Sequence, residues 1–356
     1  MKEYYSPADF IKLPKYDAHT HYHTFNDLFV RMAKKTNISL LTINTNFHIL
    51  PIDTQFKIAQ FLHERYPQSF NFIGAFDASV FASKTFAEDT IKWIQKCITA
   101  GARGIKIWKN MGMTLKNDEG QYIMADDPVF DPVYSFLQKE KIPMLAHLGE
   151  PRNCWLPLES MTTCSDRRYF SRNPKYHMYL YPEAPTYEQH IMAQNNILER
   201  FPELIFVGAH LGSMECNLEE IAKRLERFPN YYVDISGRFE HILEQTIRNR
   251  NKVIDFFETY QNRIIFGLDY FVSPNYGRRW MDIICKCFPH IYFYLICKFL
   301  FGIYKKHWLF FATDKVIKTG KMTDELESPT HIKGLQLKKG IIDRIFYENA
   351  VCVYGM

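Results

Sequence analysis

The segment LPKYDAHTHYHTFND, residues 13–27, opens with a run of strand length, Leu13–Ala18. It passes straight into a polar turn that holds three histidines and no glycine. A doubly wound sheet that binds a nucleotide carries a glycine-rich first turn at this place. This chain lacks one, and neither a Walker A sequence nor GxGxxG occurs elsewhere in it. Seven further runs of the same kind follow: Ile38–Asn44, Asn71–Phe76, Gly104–Trp108, Ile142–His147, Leu204–Ala209, Tyr231–Ile235 and Arg263–Leu268. Most are unbroken β-branched or aromatic runs, the pattern of parallel strands covered on both faces.

Helix signals fill the gaps. Phe86–Ala100 has helical apolar spacing and stops at Gly101. Asp127-Pro128 supplies a cap and a first-turn proline for Val129–Glu140. Thr186 with Gln189, and Asn217 with Glu220, read as capping boxes for helices over Ile191–Phe201 and Ile221–Phe228. Gln245–Tyr260 and Gly340–Val353 complete the set. Eight strands alternating with helices predict an α/β fold, a (β/α)8 TIM barrel, spanning residues 1–356 as one domain. Two connections are long, 148–185 after the fifth strand and 270–339 after the eighth. Both leave the C-terminal ends of strands, where barrel active sites sit, so both are expected to act as lids.

Composition narrows the function. The 356 residues are 47% hydrophobic and 23% charged, which excludes disorder and low-complexity architecture. A net charge of +5 is small for this length, and no run of five basic residues occurs, so nucleic acid is not expected as a partner. The eight cysteines form no CxxC, and a core of this size needs no disulfides; a reduced, cytoplasmic setting follows as an expectation. The N-terminal stretch lacks an apolar segment of signal-peptide type. The most apolar stretch, Cys287–Tyr304, is interrupted by Pro289 and Lys298, so it reads as a buried or lid helix rather than a membrane span.

The 13 histidines are informative by position. An HxH pair alone carries little weight, but His19 and His21 end the first strand, where side chains two apart share a face. His147 ends the fifth run, His210 the sixth, and Asp269 the eighth. Four imidazoles and one carboxylate therefore meet on one rim, a donor set suited to zinc or a similar divalent ion. His23 falls beyond the strand and is not taken as a ligand. His48, His63, His190, His241, His290, His307 and His331 default to surface or packing, and His177 to loop surface.

The anchors DAHTH (17–21), GIKIW (104–108), LAHLGEP (145–151), VGAHLGS (207–213) and FGLDY (266–270) resemble the amidohydrolase superfamily. Within it they resemble the amidohydrolase-related group that includes aminocarboxymuconate-semialdehyde decarboxylase and γ-resorcylate decarboxylase. The closing stretch IIDRIFYENAVCVYG (341–355) looks like that group's last helix. The resemblance implies His19, His21, His147 and Asp269 as ligands of one divalent ion, zinc by expectation. In a binuclear site His210 and a carboxylated Lys106 join them, with two ions. It implies Asp269 as general base and His210 as the residue that polarises the substrate. Arg152, Arg238, Trp108, Asn110 and Trp155 are the candidate substrate contacts.

The reaction expected is hydrolysis of an amide, lactone or ester of a small, carboxylate-bearing molecule. A metal-dependent, non-oxidative decarboxylase of an aromatic or muconate-type acid is the second reading, and a catalytically silent ligand-binding barrel the third. A small-molecule substrate and a homodimer are the expected partners, with no membrane.

Overall fold

The computed structural model describes residues 3–46, 50–273, 289–319 and 330–356. Cys287 and His48, named above, lie outside the described residues, as does the start of the apolar segment. The strands are β1 (Lys15–Tyr22), β2 (Ile38–Ile43), β3 (Phe70–Ala75), β4 (Ile105–Ile107), β5 (Met144–Ala146), β6 (Phe206–Gly208), β7 (Tyr231–Asp234), β8 (Ile264–Ile265) and β9 (Tyr270–Val272). They form one parallel sheet in the order β8-β7-β6-β5-β4-β3-β2-β1-β9.

β8 and β9 share the eighth position of a ring. β8 pairs with β7, and the chain then crosses to the free edge of β1. The Ala18 N–H donates to the Phe266 carbonyl at 3.0 Å, and Asp269 N–H to the His19 carbonyl at 2.7 Å. The sheet closes through these bonds, and the fold is an α/β TIM barrel.

Two apolar layers hold it. Tyr16, Leu41, Ile73, Leu145, Val207 and Ile265 fill the interior together with Ala350, Val353 and Tyr354 of the closing helix Asn349–Tyr354. A larger layer lies between the strands and the outer helices. That two-sided covering is why the strands read as unbroken apolar runs.

The two long connections differ from each other. Residues 148–185 contain short helical pieces, the longest Cys164–Arg172, and an apolar cluster of their own around Met113, Cys154, Met161, Phe170 and Met178. They lie over the mouth of the barrel. The second connection is not lid-like where it is described. Tyr270–Val272 is a strand, and Pro289–Ala312 is a 24-residue helix of the outer ring. Tyr292, Phe293, Leu300, Tyr304, Trp308 and Phe311 on it are buried. Phe301 and Tyr304 pack on Phe29 of the first helix, Leu28–Lys35. The helix sits in the wall because its buried apolar side chains find matching surface on the barrel. No helix among the described residues is long and apolar enough to cross a membrane.

Candidate metal centre

The site begins with strand alternation. His19 and His21, two apart on β1, both turn into the barrel mouth and are both buried. His19 Nδ1 lies 2.7 Å from Asp234 Oδ2 and 3.0 Å from Ser236 Oγ. His21 Nδ1 lies 3.0 Å from the Ile43 carbonyl, and His210 Nδ1 lies 2.9 Å from the Ser236 carbonyl. Carboxylate and carbonyl oxygens only accept, so each Nδ1 carries the proton and each Nε2 keeps its lone pair.

Those lone pairs share one target. His21 Nε2 is 3.2 Å, His19 Nε2 3.6 Å and His210 Nε2 3.9 Å from an Asp269 carboxylate oxygen. Burial pushes the His19 and His210 imidazoles below the ordinary histidine value, so both are neutral. Burial alone would raise the Asp269 carboxyl, but the surrounding histidines outweigh it and hold it well below the carboxylate range. Imidazole Nε2 atoms packed 3.2–3.9 Å from a carboxylate need a proton or a cation between them. The donor set fits a divalent cation on that ground.

His147 adds to it. Its ring is 4.4 Å from that of His210, and its Nε2 is buried without a hydrogen-bond partner. Burial, reinforced by Lys109 and Lys106, holds it well below the ordinary value. Lys106 is buried, with Nζ 3.4 Å from His19 Nε2, and burial brings its ammonium down to about 8. The tightest donor triple is His19, His210 and Asp269, with donor atoms within 4.8 Å of one another. It thus contains His210, which the resemblance reserved for a second ion or an acid–base role, while His21 and His147 flank it.

The backbone around the centre is unusual. His210, Leu211 and Asp269 have φ of 59°, 59° and 63°, the left-handed region that side chains other than glycine avoid. Each such residue costs about 1–3 kcal/mol and needs its surroundings to hold it. Asp234 does so for His210, accepting its N–H at 2.8 Å, while the His19 carbonyl accepts from Asp269. Gly237, at φ 62°, lies so close that a Cβ there would approach Asp269 Oδ2 to 3.3 Å.

Above the centre lies a cavity of about 750 Å³. Asp269 is 29% exposed toward it, so the carboxylate can be reached. Trp108 and Arg238 line it, with Tyr169, Phe170 and Tyr176 from the long fifth connection. Three of the candidate substrate contacts are elsewhere. Trp155 is turned into the loop, its indole N–H donating to the Pro185 carbonyl and its ring against Tyr187 and His190. Asn110 is buried in the turn after β4, where its carbonyl accepts from Thr114 and Leu115. Arg152 is exposed, its guanidinium 6.0 Å from the Tyr187 ring. In each case loop packing carried the side chain away from the cavity.

Two pairings had no signal in sequence. Lys109 and Glu150 form a buried ion pair on the cavity wall. Asp166, also on the wall, pairs with buried His241 at 2.9 Å and accepts from Asn153 at 2.7 Å. Burial alone would raise the Asp166 carboxyl; His241, Arg238 and Asn153 outweigh it and hold it at about 2.

No curated protein matches the sequence. Among solved structures the chain is similar to an uncharacterised TIM-barrel protein from Bordetella bronchiseptica, at 14% identity and a TM-score of 0.50, over 97% of this chain and 100% of that one. It is also similar to 2,6-dihydroxybenzoate decarboxylase from Rhizobium, at 13% identity and a TM-score of 0.50, over 96% of this chain and 98% of that one. At such identities the likeness concerns the fold. The pattern of the amidohydrolase family matches residues 73–286. That stretch spans more than half of the chain and holds Lys106, His147, His210 and Asp269, so the chain belongs to the amidohydrolase family.

Proposed function

We propose that the protein is a metal-dependent hydrolase acting on an amide, lactone or ester of a small molecule that bears a carboxylate. One observation carries the reading: the imidazoles of His19 and His21 on β1 and of His210 just after β6 converge on the Asp269 carboxylate on the floor of a cavity. Members of the superfamily use a divalent metal. We assign zinc to His19, His210 and Asp269, with His21 and His147 at its flanks, and a second ion near Lys106 in a binuclear form.

A bound divalent ion supplies Lewis acidity and lowers the pKa of a water toward 7. The chain supplies the rest. Asp269 is ionised at neutral pH and reachable from the cavity, so it takes the proton from the attacking water as general base. His210, its Nδ1–H engaged by the Ser236 carbonyl, acts through Nε2 as a ligand, and so holds the Lewis acid that polarises the substrate carbonyl as charge develops on its oxygen. Asp234 and Ser236 hold the rings of His19 and His210 in one tautomer. Arg238, buried on the wall with Nη1 bonded to the Gly237 carbonyl and Nε 3.7 Å from Glu215 Oε2, offers the rest of its fork to a carboxylate. The aromatic walls suit a flat substrate. The same cavity suits a carboxylated ring that loses carbon dioxide, so the decarboxylase is the second reading.

The experiment is the metal content of the purified protein and of the His19→Ala and Asp269→Ala variants. About one or two divalent ions per chain, lost in both variants, is the expected result. A metal-free protein would falsify the assignment. N-acyl compounds, lactones and carboxylated aromatics then separate acid production from carbon dioxide release, and so hydrolase from lyase.

A further inference from the structure

The helix Pro289–Ala312 buries one side in the barrel wall and turns the other to solvent. The outer side carries Ile291, Tyr294, Leu295 and Phe299, which are 54%, 42%, 38% and 59% exposed. Their spacing places them in one stripe along the helix. Lys298 lies within the stripe, its ammonium 5.2 Å from the centroid of the Tyr294 ring. Gly302 extends the stripe with open space around it, and Lys305 is exposed one turn on. The 24 residues of this helix include no acidic side chain. The neighbouring helix Leu28–Lys35, packed against it through Phe29 and Phe301, exposes Arg31, Lys34 and Lys35.

An exposed apolar stripe of this kind on a folded chain marks a contact surface. A second copy of the chain fits it poorly. Two-fold pairing sets a surface against itself. The lysines at 298 and 305 of both copies would then share one seam, and the helix has no carboxylate to neutralise them. Four partly exposed side chains also fall well short of the roughly 800 Å² per partner of a stable interface. An anionic lipid surface matches both halves of the composition. The apolar and aromatic side chains enter the boundary between headgroups and acyl chains, while the lysines reach lipid phosphates. The opposite side of the helix is committed to the barrel, so the helix lies on such a surface and does not span it.

We propose that the outer face of Pro289–Ala312 docks on an anionic membrane surface, with Ile291, Leu295 and Phe299 entering it and Lys298 and Lys305 on its headgroups. The sequence expectation of no membrane partner rested on the lack of a spanning segment; a surface contact is a different relation.

Flotation of the full-length protein with vesicles tests this, using phosphatidylcholine alone and phosphatidylcholine mixed with phosphatidylserine. The protein is expected to float with the phosphatidylserine vesicles and to lose binding as salt rises. Leu295→Asp/Phe299→Asp is expected to bind at least about tenfold more weakly. Lys298→Glu/Lys305→Glu is expected to show a loss of about the same size. All four positions are exposed, and an unchanged thermal midpoint shows that each variant is folded. A wild-type protein that stays unbound with both vesicle types overturns the proposal, and so does binding that either folded variant retains in full. A dimer that Leu295→Asp/Phe299→Asp dissociates, in a protein that binds no vesicles, also overturns it and gives the face to a second copy.

Discussion

Asp234 is a positioning residue, yet three parts of the centre depend on it. Its Oδ2 takes the His19 imidazole, and its Oδ1 takes the His210 backbone N–H together with the Ser236 N–H and hydroxyl. Burial alone would raise this carboxyl, but His19 and His210 outweigh it and hold it far below the ordinary value. An amide in its place can donate to His19 Nδ1, which moves the imidazole proton to the nitrogen facing the centre. Asp234→Asn is therefore expected to weaken metal affinity about 10–100-fold, read by titration against a chromophoric chelator. The Asp166–His241 pair makes a second prediction. Asp166 is held at about 2 against an ordinary 3.8, so its contribution to stability is present above 3.8 and is lost as pH falls toward 2. Burial would lower His241, but Asp166 outweighs it and the imidazole is raised above 6.5. Its contribution is full below 6.5 and is lost as pH climbs through the raised value. The stability difference between wild type and His241→Ala is thus expected to peak between those limits. There it should reach about 3 kcal/mol in denaturant unfolding, because the variant leaves a buried carboxylate short of its partner. A difference that neither falls as pH drops from 3.8 toward 2 nor falls as pH climbs above 6.5 contradicts the pairing.

Among the elements, local cap signals placed the helix starts, though not every side-chain partner. The Thr186–Gln189 capping box forms as read and opens the helix Tyr187–Arg200. Asn217 does cap Leu218–Arg227, but its side chain accepts from Glu219 N–H, so no box with Glu220 is made. The predicted helix over Gln245–Tyr260 begins earlier, at Phe239, and kinks at Asn249. The apolar helix Pro289–Ala312 was legible as buried but not as wall rather than lid. Its hydrophobicity is the same in either place, and only the packing of Trp308 against Phe10, Tyr5 and Phe346 separates them. Trp308→Ala is expected to cost about 3–5 kcal/mol of global stability by denaturant unfolding. A mobile lid residue would cost far less when truncated.

At the scale of the whole molecule, closure of the ring governs the site, because Asp269 stands where the chain crosses from β8 to β9. The closing helix secures that region. Asn349 donates to the carbonyls of Gln261 and Ile264, each at 2.7 Å. Asn349→Ala is expected to cost about 2 kcal/mol in urea unfolding, since two buried carbonyls lose their donor, while leaving the ligand side chains in place. The amino-acid sequence by itself determined the barrel, the polarity of its strands and the five strand-end residues that meet at its mouth. Those rest on alternation and periodicity, which are carried by neighbours along the chain. Only the tertiary structure decided which nitrogen of each histidine faces the centre. That depends on oxygens as far away as Asp234, 215 residues from His19. It also decided that Arg238 lines the cavity while Arg152 and Trp155 do not, and that Asp166 finds His241 across 75 residues. Such partners are set by how loops pack over the rim, and loop packing has no period to read.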